Sequence, residues 1–235
     1  MIASATADTT HAATAGRGPA RVPSARVSEE VRTFLLLLPV LLASMTFHEL
    51  AHGWVAWKLG DPTAKLLGRI SLNPIRHIDP LGTAMFAITY FGSSFIFGWA
   101  KPIPVVPRNF RNPQVGMAIV AVAGPVTNFV IALGFAAVFY HVEITNETWA
   151  DVVLYSYYIN IVLGVFNLFP IPPLDGSRIV GAVMDQDTYR RWSALDQYGM
   201  LFLLGIFFVF NRQFSIIIRE ATQAVDTVFR TLVGG

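Results

Sequence analysis

Two histidines and a glutamate stand inside an apolar run, S-M-T-F-H-E-L-A-H-G-W, from Ser44 to Trp54. Four residues separate His48 from His52, so on a helix both imidazoles face one way and can share one ion, with Glu49 about 100° round beside them. This is the H-E-x-x-H zinc arrangement. From Phe34 to Trp57 the other strongly polar residues are Ser44 and Thr46 alone. Ionisable groups at bilayer depth cost roughly 2.5 to 3.5 kcal/mol each, so this trio calls for a partner. The plain alternative is a chance spacing, or two helix histidines bonded to a neighbouring helix. It loses ground only if a third ligand exists elsewhere.

A catalytic zinc takes three protein ligands and keeps one position for water. The chain has no cysteine, so any metal is held by nitrogen and oxygen. Asp175 is the best remaining oxygen donor. It lies in N-L-F-P-I-P-P-L-D-G, Asn167 to Gly176, where prolines break the end of an apolar stretch and a carboxylate can turn inward. The competing reading is an interfacial aspartate capping a helix that starts at Gly176.

The elements that must carry these residues are membrane helices. Across 235 residues the chain is 54% hydrophobic and 14% charged, too apolar for an ordinary soluble domain and too long for one span. Its net charge of +2 is too small to argue for nucleic acid, and no nucleic-acid signature is present. The expected fold is an all-α polytopic membrane protein, a helical bundle of about five to six membrane segments. One is expected to be re-entrant, and a short extended segment is expected near 99–106.

Residues 1–30, rich in Ala, Thr, Ser, Gly and Pro, read as a disordered leader; 31–211 form the membrane domain; 212–235 form an amphipathic tail that either lies on the membrane or completes the last span. Within the domain, apolar segments fall at 31–59, 81–99, 115–140, 152–169 and 198–210. The segment 81–99 is short and is interrupted at Gly92-Ser93-Ser94. Four prolines between Lys101 and Pro113 favour an extended run. Trp99 to Val106 is either a strand edge able to pair with an unwound peptide or a rigid linker.

Lys and Arg counts do not choose a topology, since either treatment of 81–99 gives ten against seven. Geometry does choose. His52 lies seven residues, about 10 Å, from Leu59, and Asp175 lies near the end of its own span that leads to Arg178, Arg190 and Arg191. Those ends must share a face for the ligands to meet, so 81–99 is expected to dip in and return.

With H-E-L-A-H in one span, G-P-V-T-N in a second and N-L-F-P-I-P-P-L-D-G closing a third, the chain resembles the site-2 protease family of intramembrane zinc metalloproteases. The likeness is to its short prokaryotic branch without a PDZ domain, and it runs from about Phe34 to Met184. R-I-S-L-N-P-I-R-H-I-D-P-L-G-T and F-G-W-A-K-P-I-P-V resemble that branch as well. The resemblance places His48, His52 and Asp175 on the ligands of one Zn2+ per chain and Glu49 on the catalytic glutamate. It places Asn128 where a polar residue holds substrate or the oxyanion, and gives Asn167 a structural part.

It implies hydrolysis of a peptide bond in or near a transmembrane segment, in regulated intramembrane proteolysis or signal-peptide clearance. The partners would be a single-span membrane protein or leftover signal peptide and the lipid bilayer, with no nucleic acid. The location would be the cell membrane of a prokaryote, with the active site toward the cytoplasm. The oligomeric state is left open. The alternatives are a membrane metal-ion transporter or a non-catalytic metal-binding membrane protein. His77, beside Arg76 and Asp79, reads as structural or solvated before it reads as an extra ligand.

Overall fold

The computed structural model describes residues 23–93 and 96–234; most of the 1–30 leader lies outside them. The described chain is helical and holds no strand. Helix α1, Pro23–Lys58, begins inside the stretch read as leader, and from Ser28 onward it is long and apolar enough to cross a bilayer. Helices α4, Pro113–His141, and α5, Glu147–Asn167, meet the same test. Each of these two starts on a side-chain cap, Asn112 accepting from the Val115 N–H and Asn146 from the Trp149 N–H.

Among the described residues three helices can therefore span, or four segments if α7, Gln186–Ala194, and the first part of α8, Asp196–Val233, count as one bent span. That is somewhat fewer than the five to six membrane segments expected, one of them re-entrant. Helix α2, Thr63–Leu66, is a single turn, and α3, Pro80–Gly92, has 13 residues, about 20 Å; neither crosses alone. Prolines also break the chain between α5 and α6, Asp175–Gly181, so the aspartate motif adds no span of its own.

The 81–99 segment does return. Asp79 caps α3 through the Gly82 N–H, and the helix runs down to Tyr90, whose hydroxyl donates to the Glu30 carbonyl. On the way back Thr89 Oγ1 bonds both the Phe97 N–H (2.9 Å) and the Phe97 carbonyl (3.0 Å). The Lys101 N–H then donates to the His77 carbonyl over 2.8 Å, closing the hairpin where it opened. A side chain at Gly82 would collide with the backbone at Trp99, so the two arms touch main chain to main chain.

In lipid, helices gain little by burying apolar surface against each other and rely on close packing. Small residues provide it here: Ala132 and Ala136 of α4 and Ala56 of α1 are fully buried. The largest cluster joins α4, α5 and α8 through Tyr157, Ile161, Val165, Phe214 and Ile218. Phe229 and Val233 pack against it as well, so the tail from 212 onward lies along the bundle and not apart from it. One end of the bundle gathers Arg32 with Asp151, and His141 with the Val233 carbonyl. The other gathers Lys58, the start of α4 and the end of α6, where Gln114 Nε2 donates to the Gly181 and Met184 carbonyls.

Candidate active site

The histidine pair lies in α1 near its Lys58 end, and α4 and α6 close around it. His52 Nδ1 meets the Val120 carbonyl at 2.7 Å. A carbonyl only accepts, so Nδ1 carries the proton and Nε2 presents a lone pair. His48 Nδ1 meets Asn128 Oδ1 at 2.6 Å. Its Nε2 faces the same point.

Asp175, first residue of α6, completes the set. His48 Nε2 and His52 Nε2 are 3.0 Å apart, and Asp175 Oδ2 lies 3.1 Å from the first and 3.2 Å from the second. The broken backbone after α5 thus turns the carboxylate inward, and Asp175 does not cap α6: its preceding residue, Leu174, occupies that position.

Do these residues fit a metal? Tetrahedral ligands about 2.0 to 2.1 Å from zinc stand roughly 3.3 Å from one another, close to the observed edges. Three acceptor lone pairs converging this way repel each other unless a cation sits among them. Asp175 Oδ2 is buried and has no hydrogen-bond donor of its own. Gly124 of α4 leaves the room: a β-carbon there would lie 2.5 Å from His52 Nε2 and 2.6 Å from His48 Nε2. The set fits zinc, and among the described residues it is the one group of three or more His, Asp or Glu side chains so arranged.

Glu49 is half-buried, and its Oε2 accepts the Ile103 N–H over 2.7 Å. Residues 96–106 hold no regular secondary structure and strap the site's end of α1. The Val106 N–H donates to Asp61 Oδ2 (2.7 Å), and Arg69 donates to the Lys101 and Pro102 carbonyls. The donors at 101, 103 and 106 all point into the protein, while Pro102 and Pro104 have none. This accounting favours the linker reading over a free strand edge. Asp61 is fully buried; burial pushes its carboxyl up, but hydrogen bonds from Thr63, Val106 and Asn109 outweigh that and hold it below the usual carboxylate range.

Asn128 is fully buried behind His48, its Nδ2 donating to Asn160 Oδ1 over 2.8 Å. It meets the far nitrogen of His48 and does not line the triangle of His48, His52 and Asp175. His77 is buried and bonded through Nε2 to the Ser71 carbonyl, apart from the cluster. Asn167 bonds the Leu163 carbonyl within α5. The sequence reading passed over Asn160, Asp61 and the Ile103 N–H. A lone polar residue in a span is a signal for the first, but its partners are invisible before the helices pack.

Apolar helices around a three-ligand triangle with an adjoining glutamate define the class: a membrane zinc metalloprotease. The profile described as Peptidase family M50 matches residues 140–210. "Putative zinc metalloprotease YwhC" of Bacillus subtilis is 40% identical over 180 residues, which cover 73% of this chain and 79% of that relative. "Putative zinc metalloprotease Rip2" of Mycolicibacterium smegmatis is 27% identical over 74% of this chain and 67% of that protein. "Zinc metalloprotease MJ0392" of Methanocaldococcus jannaschii is 28% identical over 64% and 35%. No solved structure is a significant match. The chain belongs to peptidase family M50, the site-2 protease family.

Proposed function

We propose that this zinc metalloprotease hydrolyses a peptide bond in or near the transmembrane segment of a single-span membrane protein or a leftover signal peptide, from the cytoplasmic side of the membrane. The observation that carries the reading is the convergence of His48 Nε2, His52 Nε2 and Asp175 Oδ2 within 3.0–3.2 Å of one another between apolar helices. Zinc held by these three supplies a Lewis acid and lowers the pKa of water toward ~7.

Glu49 is the general base. It takes a proton from the attacking water and returns it to the leaving amine. The Ile103 N–H fixes one carboxylate oxygen and leaves the other to receive that proton. Asn128 holds His48 in the form that ligates. A helical substrate hides its carbonyls in its own hydrogen bonds, so it must unwind before attack, and helix-weak segments are the natural substrates.

One observation supports the cytoplasmic orientation. With the α3 hairpin returning, residues 58–114 and 178–191 share the site's end of the bundle, and they hold ten of the 17 Lys and Arg residues.

The test uses the purified full chain with a single-span substrate, beside Glu49→Gln. The variant is expected to lose cleavage by about 10²- to 10⁴-fold and to keep one zinc per chain. Cleavage that survives in Glu49→Gln ends the reading. Labelling of single cysteines placed at 60–80 and 178–196 should succeed from the cytoplasmic face only.

A further inference from the structure

Behind His48 a line of side chains crosses three helices. Asn128 of α4 stands on its Nδ1, Asn160 of α5 stands on Asn128, and Ser44 of α1, one turn before His48, stands on Asn160. The four side chains are buried, with exposures of 7, 0, 0 and 4% in that order from His48. No water reaches them to correct a wrong arrangement.

The direction of every bond in the line is forced from its far end. The Ser44 hydroxyl donates to the Val40 carbonyl over 2.8 Å, so toward Asn160 it can only accept. Asn160 Nδ2 donates to that oxygen (2.9 Å) and to the Ser156 carbonyl (2.8 Å), which spends both of its protons. Its Oδ1 is left as an acceptor and takes a proton from Asn128 Nδ2. Asn128 must then turn its own Oδ1 to His48, and an amide oxygen there requires His48 Nδ1 to carry the hydrogen. The Nε2 lone pair is thereby committed to the point it shares with His52 and Asp175.

We infer that Asn160 is a positioning residue for the metal ligand His48: by fixing which way the Asn128 amide faces, it fixes the tautomer and ring orientation in which His48 binds zinc. Asn160 touches neither the ligand atoms nor Glu49. The inference rests on the ligand reading above and extends it to a residue one helix further out. Partners of metal-bound histidines commonly act in this way, through orientation and basicity.

The experiment measures zinc affinity of the detergent-solubilised full chain by competition with a chelator. Asn160→Leu removes the acceptor and both donors at similar volume, and is expected to weaken zinc binding by about 10- to 100-fold. Asn160→Asp, whose buried neutral acid still accepts from Asn128 and donates to Ser156 or Ser44, is expected to hold zinc close to the wild-type level. A double-mutant cycle separates action through Asn128 from general damage. In an Asn128→Ala background, Asn160→Leu should cost nothing further.

Unchanged affinity in Asn160→Leu overturns the inference, and so does a full additional loss in the Asn128→Ala background. Should the leucine protein fail to fold, Asn160→Ala replaces it in the same cycle with the same expected and overturning results. A wild-type protein that holds no zinc, or a His48→Ala variant that holds as much as wild type, overturns the ligand reading itself. That outcome is distinct from failure at Asn160 alone.

Discussion

Between α5 and α8, the Tyr157 hydroxyl donates to Asp226 Oδ1 over 2.6 Å, and Arg230 Nε donates to Oδ2 over 3.0 Å. Elsewhere in the same bundle, His48, His52 and Asp175 bring together three atoms that can only accept. The first cluster balances donors against acceptors and needs nothing added. The second is out of balance by design of its surroundings, since Val120 and Asn128 take up the only ring protons that could have relieved it. The distances are alike in the two places, although Arg230 is exposed where both histidines are buried. What separates a structural pin from the proposed metal centre is the count of protons.

This contrast can be broken most sharply at the ligands. His52→Ala or Asp175→Ala should abolish both zinc retention and cleavage, whereas Tyr157→Phe should leave the zinc content at one per chain; metal analysis beside a cleavage assay checks both. Next in size is Gly124→Ala, whose new methyl would press on both Nε2 atoms. Overpacking of this kind costs typically 1 to 3 kcal/mol, so zinc affinity should fall roughly tenfold or more, read by chelator competition, with helix content unchanged by circular dichroism.

Tyr157→Phe tests the balanced cluster. Removing a hydrogen bond to a charged acceptor costs about 1 to 3 kcal/mol, to be seen as a lower midpoint of thermal unfolding in detergent. Smallest is the pH effect at Asp61, another balanced cluster. Its folded-state pKa lies below the usual value, so its contribution is present above about pH 4 and is lost as pH falls through the folded value. Asp61→Asn should flatten that part of the stability profile between pH 5 and pH 2, measured as the same midpoint at each pH.

Much of the centre was legible because its residues are costly where they stand. Ionisable side chains in an apolar run, and an aspartate behind paired prolines, are conspicuous in one dimension. The return of 81–99 was legible for a related reason: His52 and Asp175 can meet only if the ends of their spans share a face, and that requires the stretch between to turn back. The relay was not. Asn160 alone in α5 looks like any tolerated polar residue, and its meaning depends on Ser44 and Asn128, 116 and 32 positions away.

The segment count came out somewhat high for the opposite reason. Hydropathy marks an apolar stretch without saying whether it crosses the bilayer, and the tail's alternation of apolar and charged residues fits a bundle face as well as a membrane surface. The strap's part was hidden too, since main-chain donors such as the Ile103 N–H carry no letter in a sequence.

One feature of the bundle bears on how the molecule can be handled. Arg32, bonded to Asp151, and Val233, bonded to His141, lie at the same end of the bundle, beside the 141–151 turn and away from Glu49. A small probe attached at residue 29 or 230 would sit at that end and report on the molecule without crowding the Glu49 carboxylate.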